Sequence, residues 1–244
     1  EKAKTNIIIL LSFQEDNNMW FWFSIITLIC WSGSDLFSKI GCRDAKDKYS
    51  HLKMTIAVGV VMGLHAMYEI FIGKVPIDFN VILTYLPVSL LYIGSMMMGY
   101  WGLRYIELSI SSPICNSSGA LVAVATLIMV GFKGYSPLAL AAVALVCVGA
   151  IGLGIVDYFE DEELRAERQK KSNYKYSKSL IALALPVAYC ILDAAGTFAD
   201  NRVLEVINED SANVAYELTF LFVGILCFIY VVLIKKQKLV PKME

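Results

Sequence analysis

The stretch SPLALAAVALVCVGAIGLGIVD, Ser136 to Asp157, decides the fold, because it carries no charged side chain from Pro137 through Val156. About 20 such residues are needed to cross about 30 Å of hydrocarbon as a helix, and only a closed backbone such as a helix hides its amides there. Working outward, six further stretches meet the same test. Spans are therefore expected at roughly 20–40, 53–73, 80–103, 108–132, 136–157, 179–200 and 213–234. Turns such as Gly73-Lys74-Val75-Pro76 and Lys133-Gly134-Tyr135 are so short that neighbouring spans must run antiparallel. The expected fold is an all-α, polytopic membrane helix bundle of about seven transmembrane helices.

Composition agrees. Of 244 residues, 57% are hydrophobic and only 18% charged, and the mean hydropathy is +0.61. A water-soluble domain could not clothe itself in so few polar side chains. The expected solvent is the lipid bilayer and the expected location the cell membrane, as a multi-pass protein. A net charge of −1 leaves no basic excess for neutralising phosphates, which argues against a nucleic-acid partner. Cys30, Cys42, Cys115, Cys147, Cys190 and Cys227 lie singly, without the close pairing of zinc sites or disulfide frameworks, and read as small buried hydrophobes. The chain has no phosphate-cradling Gly-Lys-Ser/Thr loop, no His-Glu-x-x-His helix and no Gly-x-Ser-x-Gly turn. No enzyme chemistry, cofactor or metal is expected.

Residues 1–18 are expected outside the membrane, since their apolar run, Ile7 to Leu11, is too short for a signal-peptide core. Met19 is a candidate start: the codons for Glu15-Asp16 can carry a purine-rich ribosome-binding sequence at a sensible distance before it.

One long polar break, 157–178, holds Glu160 to Glu163 and then Arg165, Arg168, Lys170, Lys171, Lys175 and Lys178, which cannot enter hydrocarbon. Around it the chain echoes itself. Leu28-Ile29-Cys30-Trp31-Ser32-Gly33-Ser34-Asp35-Leu36-Phe37 superimposes on Tyr189-Cys190-Ile191-Leu192-Asp193-Ala194-Ala195-Gly196-Thr197-Phe198. The organisation expected is a first five-helix repeat at 19–157, a charged linker at 158–178 and an incomplete second repeat of two helices at 179–244. With five crossings in the first unit, the second enters the membrane upside down, an inverted repeat of the kind that places a binding site at the midplane of transporters. Three more helices beyond Glu244 would complete it.

Four stretches carry a resemblance. They are Cys30-Trp31-Ser32-Gly33 with Phe37-Ser38-Lys39, then Gly102-Leu103-Arg104-Tyr105 through Ser111-Ser112-Pro113, then Asn116-Ser117-Ser118-Gly119, and finally Ser136-Pro137-Leu138 ahead of Gly149. From Met19 to Lys236 the pattern resembles the EamA-like family of the drug/metabolite transporter superfamily. That resemblance implies a 5+5 inverted-repeat architecture and secondary transport of a small organic solute. It also implies both ends in the cytoplasm. The charge pattern points the other way: only Lys2, Lys4, Lys74, Lys133 and Arg202 fall on the N-terminal face, and the rest of the 21 Lys and Arg on the face with the long loop. By the positive-inside rule that loop is cytoplasmic and the N-terminus outside.

Ionisable groups within a span cost roughly 2.5–3.5 kcal/mol at the helix centre, so each needs a reason. Asp35 and Asp193 occupy near-equivalent places in the two repeats, where they could hold a cationic or amine group or cycle a proton. Asp35 could equally pair with Lys39, one turn on. His65 and Glu69, also one turn apart, read as a structural pair or a proton relay. Tyr216-Glu217 echoes Tyr68-Glu69 in composition but not in position along its span. The polar run around Pro113, with Asn116 and Ser117, suits either a cavity wall or interhelical hydrogen bonds. Trp31, Tyr100, Trp101 and Tyr189 could stack on an organic substrate or simply pack, whereas Trp20 and Trp22 read as an interfacial belt. Gly59 and Gly63 form a small-xxx-small face for close helix approach. The candidate substrate-binding set is Trp31, Asp35, Tyr100, Asn116, Ser117, Tyr189 and Asp193.

The function expected is a permease that moves a small metabolite or drug-like solute by alternating access, with proton coupling and a homodimer both compatible. A seven-helix receptor or sensor, or an inactive transporter fragment, is the alternative.

Overall fold

The computed structural model describes residues 2–42, 47–131, 136–171 and 180–239. Every regular element among them is a helix: α1 (Lys2–Gly41), α2 (Ser50–Tyr68), α3 (Phe79–Gly102), α4 (Leu108–Cys115), α5 (Ser118–Val130), α6 (Pro137–Tyr158), α7 (Glu162–Lys171), α8 (Leu180–Val203) and α9 (Glu209–Phe228). α2 and α9 each run on into a stretch of π-helix, Glu69–Gly73 and Ile229–Ile234.

Seven segments are long and apolar enough to cross a membrane: Phe21–Gly41, Ser50–Gly73, Phe79–Gly102, Leu108–Met129, Pro137–Val156, Leu183–Val203 and Glu209–Ile234. They coincide, within a few residues at each end, with the seven apolar runs of the sequence, and they mark a multi-pass membrane protein. The polar linker contributes α7; its residues 172–178 lie outside the described residues, as do Arg43, Lys46 and Lys133 from the charge tally.

The chain divides into two compact units, Glu1–Ser38 and Lys39–Glu244. In the first, α1 passes through Met19 without a break, and its apolar span begins at Phe21. Trp22, Phe23, Leu28 and Ile29 are each more than half exposed, a surface suited to lipid rather than water. Phe21 and Trp22 meet edge to face at 5.8 Å.

In the second unit α2 packs on α9, α3 on both α8 and α9, α4 and α5 on α8, and α6 on α4 and α5. In lipid such contacts rest on close packing and hydrogen bonds, since hydrocarbon solvates apolar side chains as well as protein does. Glycine supplies the closeness between α2 and α9. A Cβ on Gly59 would come within 2.9 Å of the Phe220 carbonyl oxygen and 3.3 Å of the Gly224 Cα, and one on Gly63 within 2.7 Å of the Leu221 side chain. Gly59→Leu is therefore expected to force the two helices apart and cost about 1–3 kcal/mol, the usual range for overpacking. The loss would be read as a lower midpoint of thermal unfolding in detergent.

The helix starts are capped in ways the sequence allows. Asp78 accepts the Val81 amide at the head of α3, and Asn208 accepts the amides of Asp210 and Ser211 at the head of α9. The Cys42 thiol is buried beside Tyr100 and Leu103, and burial pushes it up to about 12, consistent with cysteines that act as small hydrophobes.

Candidate functional site

The fourth apolar run is not one helix but two. Pro113, inside α4, has no amide to donate, and the chain turns at Asn116 (φ −76°, ψ 0°) and Ser117 (φ −82°, ψ 0°) before α5 begins. Side chains add to the backbone bonds that the Ser112 and Ile114 carbonyls already accept from the Asn116 and Ser117 amides. Asn116 Nδ2 donates to the Ser112 carbonyl at 2.8 Å, and the Ser117 hydroxyl donates to the Ile114 carbonyl at 2.7 Å. A broken helix of this kind survives at membrane depth only where protein or a cavity satisfies it.

The break faces α8. Ser117 is buried with its Oγ 3.5 Å from the Cys190 sulfur. One position on, Ser118 opens α5. Beside the break opens a cavity of about 430 Å³ bounded by Ile114, Ser117 and Leu121, by Ile151 and Ile155 of α6, and by Leu183, Val187 and Cys190 of α8. This falls within the size of small-molecule pockets, roughly 300–1,000 Å³. Its wall is almost wholly apolar, with Ser117 and Cys190 the polarisable points. Asp193 stands one helical turn beyond Cys190, near the middle of the Leu183–Val203 span.

From Asp193 a polar seam runs down the contact of α8 with α3 and α9. The Thr197 hydroxyl donates to the Asp193 carbonyl at 3.0 Å, and the Tyr92 hydroxyl donates to Thr197 Oγ1 at 3.3 Å. Tyr85 donates to Asp200 Oδ1 at 2.6 Å. Tyr92 and Tyr216 meet edge to face at 5.9 Å, and the Tyr216 hydroxyl reaches the Met96 sulfur at 3.3 Å. A Cβ on Gly196 would come within 3.0 Å of the Tyr92 ring, so glycine is what lets that ring lie against α8. Tyr85→Phe would leave the Asp200 carboxylate without this donor. It is expected to lower stability by about 1–3 kcal/mol, the cost of orphaning a buried polar group, in the same thermal unfolding measurement.

The expected ligands are thus distributed as follows. Asp193, Ser117, Asn116 and Tyr189 lie on or next to the α5–α8 contact. The Tyr189 ring covers Gly99 of α3, where a Cβ would stand 2.8 Å from it. Tyr100 is buried in a packed cluster with Cys42 and Leu103, apart from the cavity lining. Trp31 and Asp35 belong to the first unit; Trp31 is about half exposed and Asp35 half-buried. The sequence reading gives no site role to Tyr85, Tyr92, Thr197, Asp200 or Tyr216. Their signal is periodic: Asp193, Thr197 and Asp200 recur at i, i+4 and i+7 on one face of α8, and Tyr85 and Tyr92 at i and i+7 on α3.

The described residues contain no group of three or more His, Cys, Asp or Glu arranged to hold a metal ion. The chain matches no family model, no curated protein and no solved structure.

Proposed function

We propose that this chain is part of a secondary transporter of the drug/metabolite type, carrying a small organic solute across the cell membrane by alternating access. One observation carries the reading: a carboxylate, Asp193, at the middle of its span, one turn from Cys190 in the wall of an apolar cavity that lies beside a broken helix. A charge so deep in a bilayer is costly, and such residues mark solute or ion pathways. Discontinuous helices near the midplane are a recurrent way to build the site in transporters. The solute this favours is amphipathic: an apolar body for the chamber and an amine or other cationic head for Asp193. The 5+5 inverted repeat, with Asp35 as the pseudo-symmetric counterpart of Asp193, is the architecture that would explain the sequence echo.

The experiment is uptake and efflux in proteoliposomes with a panel of amino acids, amines and nucleosides, with and without an imposed proton gradient. Saturable movement of one or more amines supports the reading. Absence of movement across the panel, with the protein shown to be folded and inserted, would turn the reading toward a seven-helix receptor or sensor.

A further inference from the structure

The second span carries a set of titratable groups that the solute site does not use. His65 of α2 faces across to α9, where its Nδ1 lies 2.8 and 3.0 Å from the two carboxylate oxygens of Glu217. Its Nε2 lies 3.6 Å from Oε1 of Glu69, one turn along its own helix. The Tyr68 ring stacks on the imidazole at 6.4 Å. α3, the other helix packed against α2, has no charged residue between Phe79 and Gly102. Glu69 and Glu217 are therefore the charged groups that face His65.

The His65 side chain is 57% exposed, at the rim of the α2–α9 contact, so what sets the group apart is its depth along the spans. At about 1.5 Å per residue, His65 lies roughly 12 Å inside the Gly73 end of its span, and Glu217 about the same distance inside the Glu209 end of its own. The agreement places the pair at one depth, well within hydrocarbon, where a purely structural hydrogen bond could be made by uncharged groups at far less cost. Glu69 bridges that depth to the membrane edge. It opens the π-helical stretch Glu69–Gly73, an irregularity often found at functional sites, and its Oε2 folds over Gly73.

We propose that Glu69, His65 and Glu217 form a proton relay leading from the Gly73 end of the second span to the middle of the α2–α9 contact. In the forward step Oε1 of protonated Glu69 closes from 3.6 Å to hydrogen-bond distance of Nε2 of neutral His65 and gives it the proton, while the proton on Nδ1 passes to the Glu217 carboxylate. Glu69 is left ionised, Glu217 protonated and the imidazole neutral in its other tautomer, so one proton has moved and none is gained or lost. Ring rotation or tautomer exchange resets the imidazole. As the coupling route of a transporter this rests on the function proposed above; as a proton site it stands apart from it.

The test needs no solute. The chain has two histidines, so ¹⁵N-histidine-labelled protein in phosphatidylcholine and phosphatidylglycerol nanodiscs gives imidazole signals that the His65→Gln variant assigns. The relay is expected to show a His65 signal that changes with pH, with its midpoint moved by about 1 pH unit or more in both Glu217→Gln and Glu69→Gln, because coupled sites share their protons. Both variants are near-isosteric, and unchanged circular dichroism and nanodisc elution establish that they fold. A His65 signal that does not change with pH, or a midpoint left unmoved by either carboxamide, overturns the relay. Loss of transport in the solute panel alongside an intact titration would instead overturn the function and leave the proton site standing.

Discussion

Lys39→Met is expected to cost the fold about 2–4 kcal/mol, far more than a surface lysine would. The ammonium of Lys39 is buried, at 4% exposure, and donates to the Leu103 carbonyl at 2.6 Å and the Ile106 carbonyl at 2.7 Å. These acceptors lie just beyond the last turn of α3, where carbonyls are left without helical partners and the helix dipole is negative. Each hydrogen bond from a charged donor is worth roughly 1.5–3 kcal/mol. Methionine fills nearly the same volume but satisfies neither oxygen. Part of the loss is offset because the variant no longer buries a charge, which itself costs several kcal/mol. That offset is why the expectation falls below the sum of two bonds. Reversible unfolding in mixed micelles, followed by circular dichroism, would show the loss. A variant as stable as the wild type would mean that the two carbonyls find other partners.

Phe220→Ala should be comparably damaging, at about 3 kcal/mol. Phe220 is the largest of the fully buried side chains, with 0% exposure, and its ring meets Tyr216 edge to face at 5.9 Å. In water-soluble cores Phe→Ala costs about 3–5 kcal/mol, part of it transfer from water and part an unfilled cavity. Here the unfolded chain stays in lipid, so the transfer part shrinks and the packing part remains. The low end of the range follows. The same unfolding assay measures it, and a loss under about 1 kcal/mol would show that neighbouring side chains collapse into the space.

The seven spans were legible because lipid allows so few solutions: a run of the right length without charges becomes a helix whatever its neighbours do. Which helix meets which was not legible. Apolar side chains facing lipid and those facing protein look alike, so periodicity gives no pairing. Glu217 shows the consequence. It lies 152 residues from His65, and nothing local to either joins them. The break at Asn116–Ser117 was half visible, since Pro113 and the run of hydroxyls mark a disturbed helix. Whether such a helix breaks in two or simply bends depends on rotamers and neighbours, which composition does not specify. Lys39 was read only against Asp35, one turn away, whereas its recorded bonds reach 64 and 67 residues along the chain. Asp193 was legible for a simple reason: an acid in the middle of an apolar run demands a partner or a purpose.

The most direct test of that purpose is transport of the amine panel by Asp193→Asn protein beside the wild type, in proteoliposomes with matched insertion. Asparagine keeps the shape while removing the charge. If Asp193 binds the cationic head of the solute, saturable amine transport falls to the level of empty liposomes, while Tyr85→Phe protein, altered further along the same seam, still transports. Wild-type rates in Asp193→Asn would contradict a solute site at this carboxylate.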